Sequence, residues 1–367
     1  MIYTASVDSR EHIEWASELG IREVVVSIKE FSREGGLAWE SALELANECR
    51  LKEIEPVLLV DRLIEERDFD RIIQTLEIAD DYKLRVQDIG LANWLHERKR
   101  KFQLLLDVGN ANTKGILRWK GYFCDSVERF VLNNEIPEEH LLPILSDLGG
   151  ESELLGLGPV MIYYSPRKLF AYQGIEKKEE NVVSDETGQK TFRCKETDSG
   201  FVMYYSKELC LLPYCDELNI ANLGAMRLDF RTWDNERFKS VKAYLNKAIN
   251  YDDFKKAWPE SLLHGYYKTN KSDSVFEHLP KRKKLKGERI VAEVLDQSPY
   301  TYLLKAVSHL NLNQSVKAVN TKGELVSWDL SSLKNLNGED LESVVASGLT
   351  VVKKQKKIFT GGFIYAV

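Results

Sequence analysis

The chain has 367 residues, 43% hydrophobic and 29% charged, with 22 Gly and only 9 Pro. That composition belongs to an ordinary globular protein of about two domains and excludes collagen-like, low-complexity and disordered classes. Lys and Arg number 51 against 57 Asp and Glu, a net charge of −6, which speaks against a dedicated duplex-DNA binder. No stretch approaches the roughly 18 continuous apolar residues of a membrane span. The opening Met1–Asp8 has no basic segment followed by an apolar one, so a cytoplasmic location is expected. The five cysteines (Cys49, Cys124, Cys194, Cys210, Cys215) are too few and too odd in number for a disulfide framework.

In chain order, short apolar runs alternate with amphipathic stretches. The runs are Ile2–Val7, Glu23–Ile28, Pro56–Val60, Leu84–Asp88, Phe102–Asp107, Val127–Val131, Glu153–Leu157 and Ala225–Asp229. Short, nearly all-apolar runs are what strands buried on both faces require. Helices are predicted between them over Ser9–Leu19, Leu37–Cys49 and Asp68–Tyr82. Another should be opened by Pro137 and ended by Gly149-Gly150. Eight such units predict an α/β protein with a (β/α)₈ TIM-type barrel. An open doubly wound sheet is the alternative, weakened because neither G-x-G-x-x-G nor a P-loop stands at a strand–helix junction. Leu155-Gly-Leu-Gly158 reads as a turn at a strand end.

The polar region 166–204 reads as an insertion before the last unit of a barrel spanning 1–232. Residues 233–287 read as a helical extension and linker. From 288 to 367 short strands over Arg289–Leu295, Tyr300–Val307, Ser315–Ala318, Leu325–Trp328, Thr350–Lys354 and Ile358–Ala366 predict a small C-terminal β-rich, barrel-like domain. The run Lys281-Arg-Lys-Lys-Leu-Lys286 reads as a solvated linker.

In a barrel of this kind the working face lies at the carboxyl ends of the strands. Asp61, Asp88, Asp107, Asn133, Glu135, Arg227 and Asp229 fall there. Converging carboxylates with arginine suit acid–base work or a polar substrate clamp. Taken singly, each would equally serve as a helix cap. The six histidines are scattered, no G-x-S-x-G occurs, and Cys210-Leu-Leu-Pro-Tyr-Cys215 reads as an apolar helix holding buried thiols.

Five segments in order carry a resemblance: Val86-Gln-Asp-Ile-Gly90, Val131-Leu-Asn-Asn-Glu135, Tyr163-Tyr-Ser-Pro-Arg167, Tyr205-Ser-Lys-Glu-Leu-Cys-Leu211 and Met226-Arg-Leu-Asp-Phe-Arg231. They resemble the collagenase-like peptidase family U-32. The resemblance implies a TIM-type barrel and a peptidase (hydrolase) label without an assigned nucleophile. Matching positions imply catalytic roles for Glu135, Asp88 and Asp229. They also imply substrate contacts from Tyr164, Ser165, Arg167, Arg227 and Arg231, joined by Asp107 and Asn112. Relatives that hydroxylate ubiquinone or RNA hold an iron–sulfur cluster with two cysteines flanking the Tyr-Ser turn. Met161 and Lys168 stand at those positions here, so the expectation is no cofactor and no metal. Phe230, where the family favours Gly, is expected to narrow the mouth near Arg231. The expected partner is a peptide or other polar substrate. Alternatively the chain is a non-catalytic partner subunit, or an RNA-binding module using Lys281, Arg282, Lys283 and Lys284; no membrane partner is expected.

Overall fold

The computed structural model describes residues 1–106, 110–172, 181–184, 191–268, 287–319, 325–354, 358 and 362–367. Asp107 and the basic run at 281–286 lie outside the described residues. The chain divides into two compact units, Met1–Thr269 and Asn270–Val367.

In the first unit strands and helices alternate: β1 (Ile2–Val7), α1 (Arg10–Glu18), β2 (Glu23–Ser27), α2 (Trp39–Leu51), β3 (Glu55–Val60), α3 (Glu66–Ile78), β4 (Lys83–Val86), α4 (Ile89–Glu97), β5 (Phe102–Leu106), α5 (Thr113–Phe123), β6 (Val127–Leu132), α6 (Glu138–Leu148) and β7 (Ser152–Ser165). After these come α7 (Leu169–Tyr172), β8 (Asn181–Ser184), β9 (Thr191–Thr197), β10 (Gly200–Cys210), α8 (Cys215–Ile220), β11 (Ala225–Asp229), α9 (Asn235–Leu245), α10 (Tyr251–Ala257) and β12 (Leu262–Leu263). Strands β11, β1, β2, β3, β4, β5, β6 and β7 pair in parallel in that order, and β11 pairs with β7 to close the ring. The expected eight-stranded barrel is therefore present. Its outward side chains (Val24, Val26, Leu58, Leu104, Phe130, Leu228) join the helices in one apolar core. Burying each such side chain contributes about 1.5–3 kcal/mol.

Local sequence sets the helix ends. Ser9 accepts the His12 amide, Asp88 the Leu91 amide and Asn112 the Gly115 amide, each satisfying a donor the first helical turn leaves open. Gly149 ends α6 in the left-handed conformation at φ 63°, as Gly149-Gly150 suggested.

Two stretches differ from expectation. Strand β7 does not stop at Leu157; it runs on to Ser165 and pairs antiparallel with β10, which in turn pairs with β9 and β9 with β8. The Leu155-Gly-Leu-Gly158 motif makes this possible. A Cβ on Gly156 would stand 2.2 Å from Met226 Cγ, and one on Gly158 (φ 150°) would stand 2.7 Å from Asp229 Cβ. The glycines thus let β7 close against β11 before bending away into the arm. Second, Cys210 ends a strand rather than lying within a helix. Pro213 lies in a short 3₁₀ turn, Leu212–Tyr214, and α8 starts only at Cys215.

The second unit is β-rich as expected: β13 (Ile290–Gln297), β14 (Thr301–Ala306), β15 (Leu310–Asn311), β16 (Ser315–Val319), β17 (Leu325–Asp329), β18 (Ser343–Val344), β19 (Leu349–Lys353) and β20 (Phe363–Ala366). Six of these form an antiparallel sheet in the order β17-β16-β20-β13-β14-β19, and β15 pairs with β18. Val294, Tyr302, Leu304, Val316 and Ile364 centre its own apolar core. Among the described residues no helix is long and apolar enough to cross a membrane.

Candidate functional site

Side chains alternate along a barrel strand, so every second residue points inward. Here the inward positions of several strands are polar. Arg85 on β4 is 2% exposed and Glu153 on β7 is fully buried. They meet as a fork: Arg85 Nη1 donates to Glu153 Oε1 at 2.6 Å and Nη2 to Oε2 at 2.7 Å. Arg85 also donates to Gln103 Oε1, and Gln103 donates to Glu23 Oε1 at 2.9 Å. Arg129 pairs with Glu23 and with Glu153, while Arg227 donates to Glu153 Oε1 (3.2 Å) and Ser6 Oγ (2.9 Å). Burial alone would push the Glu153 carboxyl up, but Arg85, Arg227 and Arg129 together hold it below the usual range. This network closes the barrel interior.

A second cluster stands at the carboxyl ends of the strands. Asp229, the last residue of β11, is 2% exposed and receives both Nε (2.8 Å) and Nη2 (2.6 Å) of Arg231. The same guanidinium reaches Glu34 at 2.6 Å and Ser27 Oγ at 3.3 Å. Burial raises the Asp229 carboxyl, yet Arg231 and then Arg227 bring it below its ordinary value. Burial holds the Tyr204 hydroxyl well above its ordinary range, reinforced by the Glu34 charge with which it hydrogen-bonds. Both hydroxyl and carboxylate therefore keep their neutral-pH forms.

Beside this cluster opens a cavity of about 170 Å³ lined by Asp8, Ser27, Glu34, Gly35, Gly36, Pro159, Arg193, Lys195, Tyr204, Arg231 and Thr232. Four loops or ends of barrel strands contribute, together with β9 and β10 of the arm. Gly36 is required for the loop after β2: a Cβ there would stand 2.2 Å from the Ser27 carbonyl oxygen. A buried ion pair fixes the same loop, with the Arg33 Nε and amide nitrogen each 3.0 Å from Asp61. The cavity presents both signs of charge. Its acids have internal partners, Glu34 with Arg231 and Asp8 with His12 Nδ1 at 3.0 Å. Lys195 has no ion-pair partner among the described residues.

The residues predicted from sequence separate into groups. Asp229 and Arg231 come together, with Arg227 below them in the interior network. Asp88 caps α4 and Asn112 caps α5. Glu135 is exposed in the loop after β6, its amide bonded to Asn133 Oδ1. Tyr164 donates to the Ser199 carbonyl at 2.7 Å beneath the Arg33 guanidinium. Ser165 accepts the Arg167 amide, a turn contact, and the Arg167 side chain is exposed. Phe230 does not narrow the mouth: it is fully buried against Trp15, Trp233 and His12 on the helical side.

Sequence reasoning missed Asp8, Glu34, Arg193, Lys195 and Tyr204 because they lie in loops or in the arm, where strand periodicity says nothing. It also missed Arg85, Gln103, Arg129 and Glu153. These had a signal: a polar residue at the second or third position of successive apolar runs, which in a closed barrel points to the axis.

The residues present do not fit the iron–sulfur cluster of the ubiquinone and RNA hydroxylation relatives. Met161 sits on β7 opposite Tyr204, and Lys168 is exposed. Cys194 is packed with Phe170 and Phe201. Burial pushes the Cys210 thiol up to about 12 and raises Cys215, which contacts Tyr3 and Met226. A cluster takes thiolate ligands, and the Met161 thioether and Lys168 ammonium cannot stand in for two of them. No group of three or more His, Cys, Asp or Glu among the described residues is arranged to hold a metal.

Among solved structures the chain is similar to the U32 peptidase Mk0906, at 12% identity and a TM-score of 0.41, over 62% of this chain and 92% of that one. It is also similar to the Bacillus cereus spore cortex-lytic enzyme SleL, at 9% identity and a TM-score of 0.35, over 65% and 73%. No curated protein matches it. The model of Peptidase family U32 matches residues 8–278, taking in nearly all of the barrel unit and all five motifs, and the chain belongs to that family.

Proposed function

We propose that this U32 protein binds the carboxylate end of a peptide-like substrate in the cavity at the carboxyl face of its barrel. One observation carries the reading. Lys195 opens on a cavity in which Glu34 is already paired with Arg231, and it has no ion-pair partner among the described residues, so a lining cation is left for a ligand. Arg193 lines the same space, and its planar fork suits a carboxylate. A volume of about 170 Å³ admits one end of a peptide and not a long segment of it.

Arg231 plays a different part from the substrate clamp expected of it. Its donors are spent on Asp229, Glu34 and Ser27, so it fixes the cavity floor. Asp229, with both oxygens on Arg231 and its carboxyl held low, is a poor proton acceptor. For turnover the cavity offers one carboxylate without a guanidinium partner, Asp8, oriented by His12. Calorimetric titration with short peptides of free and amidated carboxyl termini tests the reading. The free acids should bind at least tenfold more tightly, and Asp8→Asn should retain binding while losing any hydrolysis. Equal affinity for acid and amide would overturn it.

A further inference from the structure

Among the described residues β9 pairs only with β8 and β10, so no ladder of backbone bonds ties it to the barrel strands. Yet it contributes Lys195 to a cavity whose walls include the loop after β2. Side chains alternate along a strand, which puts Lys195 and Thr197 on one face of β9. Cys194 and Glu196, on the other face, meet Phe170 of α7 instead.

Thr197 is 6% exposed. Its hydroxyl stands 2.9 Å from the Arg33 carbonyl oxygen and 3.3 Å from that of Gly200; with one proton to donate, it serves the nearer acceptor. The same oxygen accepts the Ser199 amide at 3.1 Å. One side chain therefore joins the turn between β9 and β10 to the loop after β2. That loop is itself anchored: Arg33 on Asp61, a strand-end residue the substrate reading leaves unused, and Glu34 on Arg231. The Thr197 methyl meets the loop as well, since a Cβ on Gly35 would stand 3.6 Å from Thr197 Cγ2. At the rim Lys29 pairs with Asp198 at 2.9 Å, but both side chains are about half exposed, and solvent screens such a pair.

We propose that Thr197 is a positioning residue for the cavity: its hydroxyl fixes the turn of the arm on the loop after β2 and so sets where Lys195 meets a ligand. This deepens the reading of the cavity as a carboxylate site and rests on it. The hydroxyl matters more than the methyl, because without it the Arg33 carbonyl and the Ser199 amide both lose a partner. Changing Thr197 leaves every charge of the cavity in place, so its effect on a ligand is one of placement.

Two variants of the full chain separate these parts. Thr197→Val keeps the shape and removes the hydroxyl; Thr197→Ser keeps the hydroxyl and removes the methyl. In hydrogen–deuterium exchange without ligand, the amides of 29–36 and 198–203 should exchange at least tenfold faster in Thr197→Val than in wild type. Thr197→Ser should exchange there as wild type does, and unchanged protection of the barrel strands shows that all three proteins are folded. In calorimetric titration a short free-acid peptide should bind Thr197→Val about tenfold more weakly, the effect of one lost hydrogen bond, and Thr197→Ser as wild type. Were Thr197 only filling space, the order would reverse, with the serine variant impaired and the valine variant normal. That reversal, unchanged exchange in Thr197→Val, or faster exchange there with unchanged affinity would overturn the proposal. A peptide that fails to bind wild type sinks the substrate reading instead, and exchange alone then decides whether the hydroxyl holds the turn on the loop.

Discussion

The barrel holds two arginine–carboxylate clusters a few residues apart on the same strands, and they differ in one respect. In the interior, Arg85, Arg129 and Arg227 converge on Glu153 and Glu23, with Arg85 and Glu153 buried and Arg129 and Arg227 partly exposed. At the mouth, Arg231, Asp229 and Glu34 make bonds of the same kind but border an open cavity with Arg193 and Lys195. Buried ion pairs are poor evidence of net stabilisation but costly to break on one side. The interior cluster acts as a rigid floor; in the function proposed above, the mouth cluster uses that rigidity to present charge to a ligand. Identical chemistry becomes structure or site according to whether space is left beside it.

The sharpest way to break this comparison is to neutralise the floor. Glu153→Gln leaves three guanidinium groups facing a neutral amide, and we expect a loss of about 3–5 kcal/mol in denaturant unfolding. A loss below about 1 kcal/mol would show that the interior is not sealed. The pH dependence of stability separates the clusters further. Glu153 and Asp229 have depressed carboxyls, so their stabilisation is fully present above the unfolded value near pH 4 and is lost as pH falls below it. Glu208 of β10, pushed up by burial, has the opposite sign. Its folded form, at about 7, holds a proton that the unfolded chain, at 4.5, has released. Its contribution therefore falls as pH rises from about 4.5 to 7, on the order of 3 kcal/mol in all. Thermal unfolding of wild type should lose stability between about pH 4.5 and 7, and Glu208→Gln should flatten that slope. The smallest effect belongs to a residue outside both clusters. Asp88→Ala removes only the cap of α4, about 1 kcal/mol by thermal melt, and should leave peptide affinity unchanged.

The barrel was legible because its strands are buried on both faces: runs such as Glu23–Ser27 and Phe102–Leu106 stand out as short apolar blocks whatever surrounds them. The arm was not. Strand β7 looked like a five-residue strand because Gly156 and Gly158 resemble a turn, when they serve close packing against Met226 and Asp229. The site was half legible. Asp229 and Arg231 lie on the predicted strand end, but Glu34, Arg193, Lys195 and Tyr204 reach the cavity from a loop and from the arm, and only the tertiary pairing of β7, β9 and β10 brings them there. Asp88 and Asn112 stand at the correct end of the barrel, yet their carboxylate and amide oxygens are taken up by helix amides. Position at a strand end does not tell a cap from a ligand; the nearest donor does.

The most direct test of the central claim is calorimetric titration of a short free-acid peptide against wild type and the Arg193→Ala/Lys195→Ala double variant, with circular dichroism confirming that both barrels are folded. Wild type should bind measurably, with at least a tenfold loss in the double variant. Equal affinity in the two proteins would contradict it.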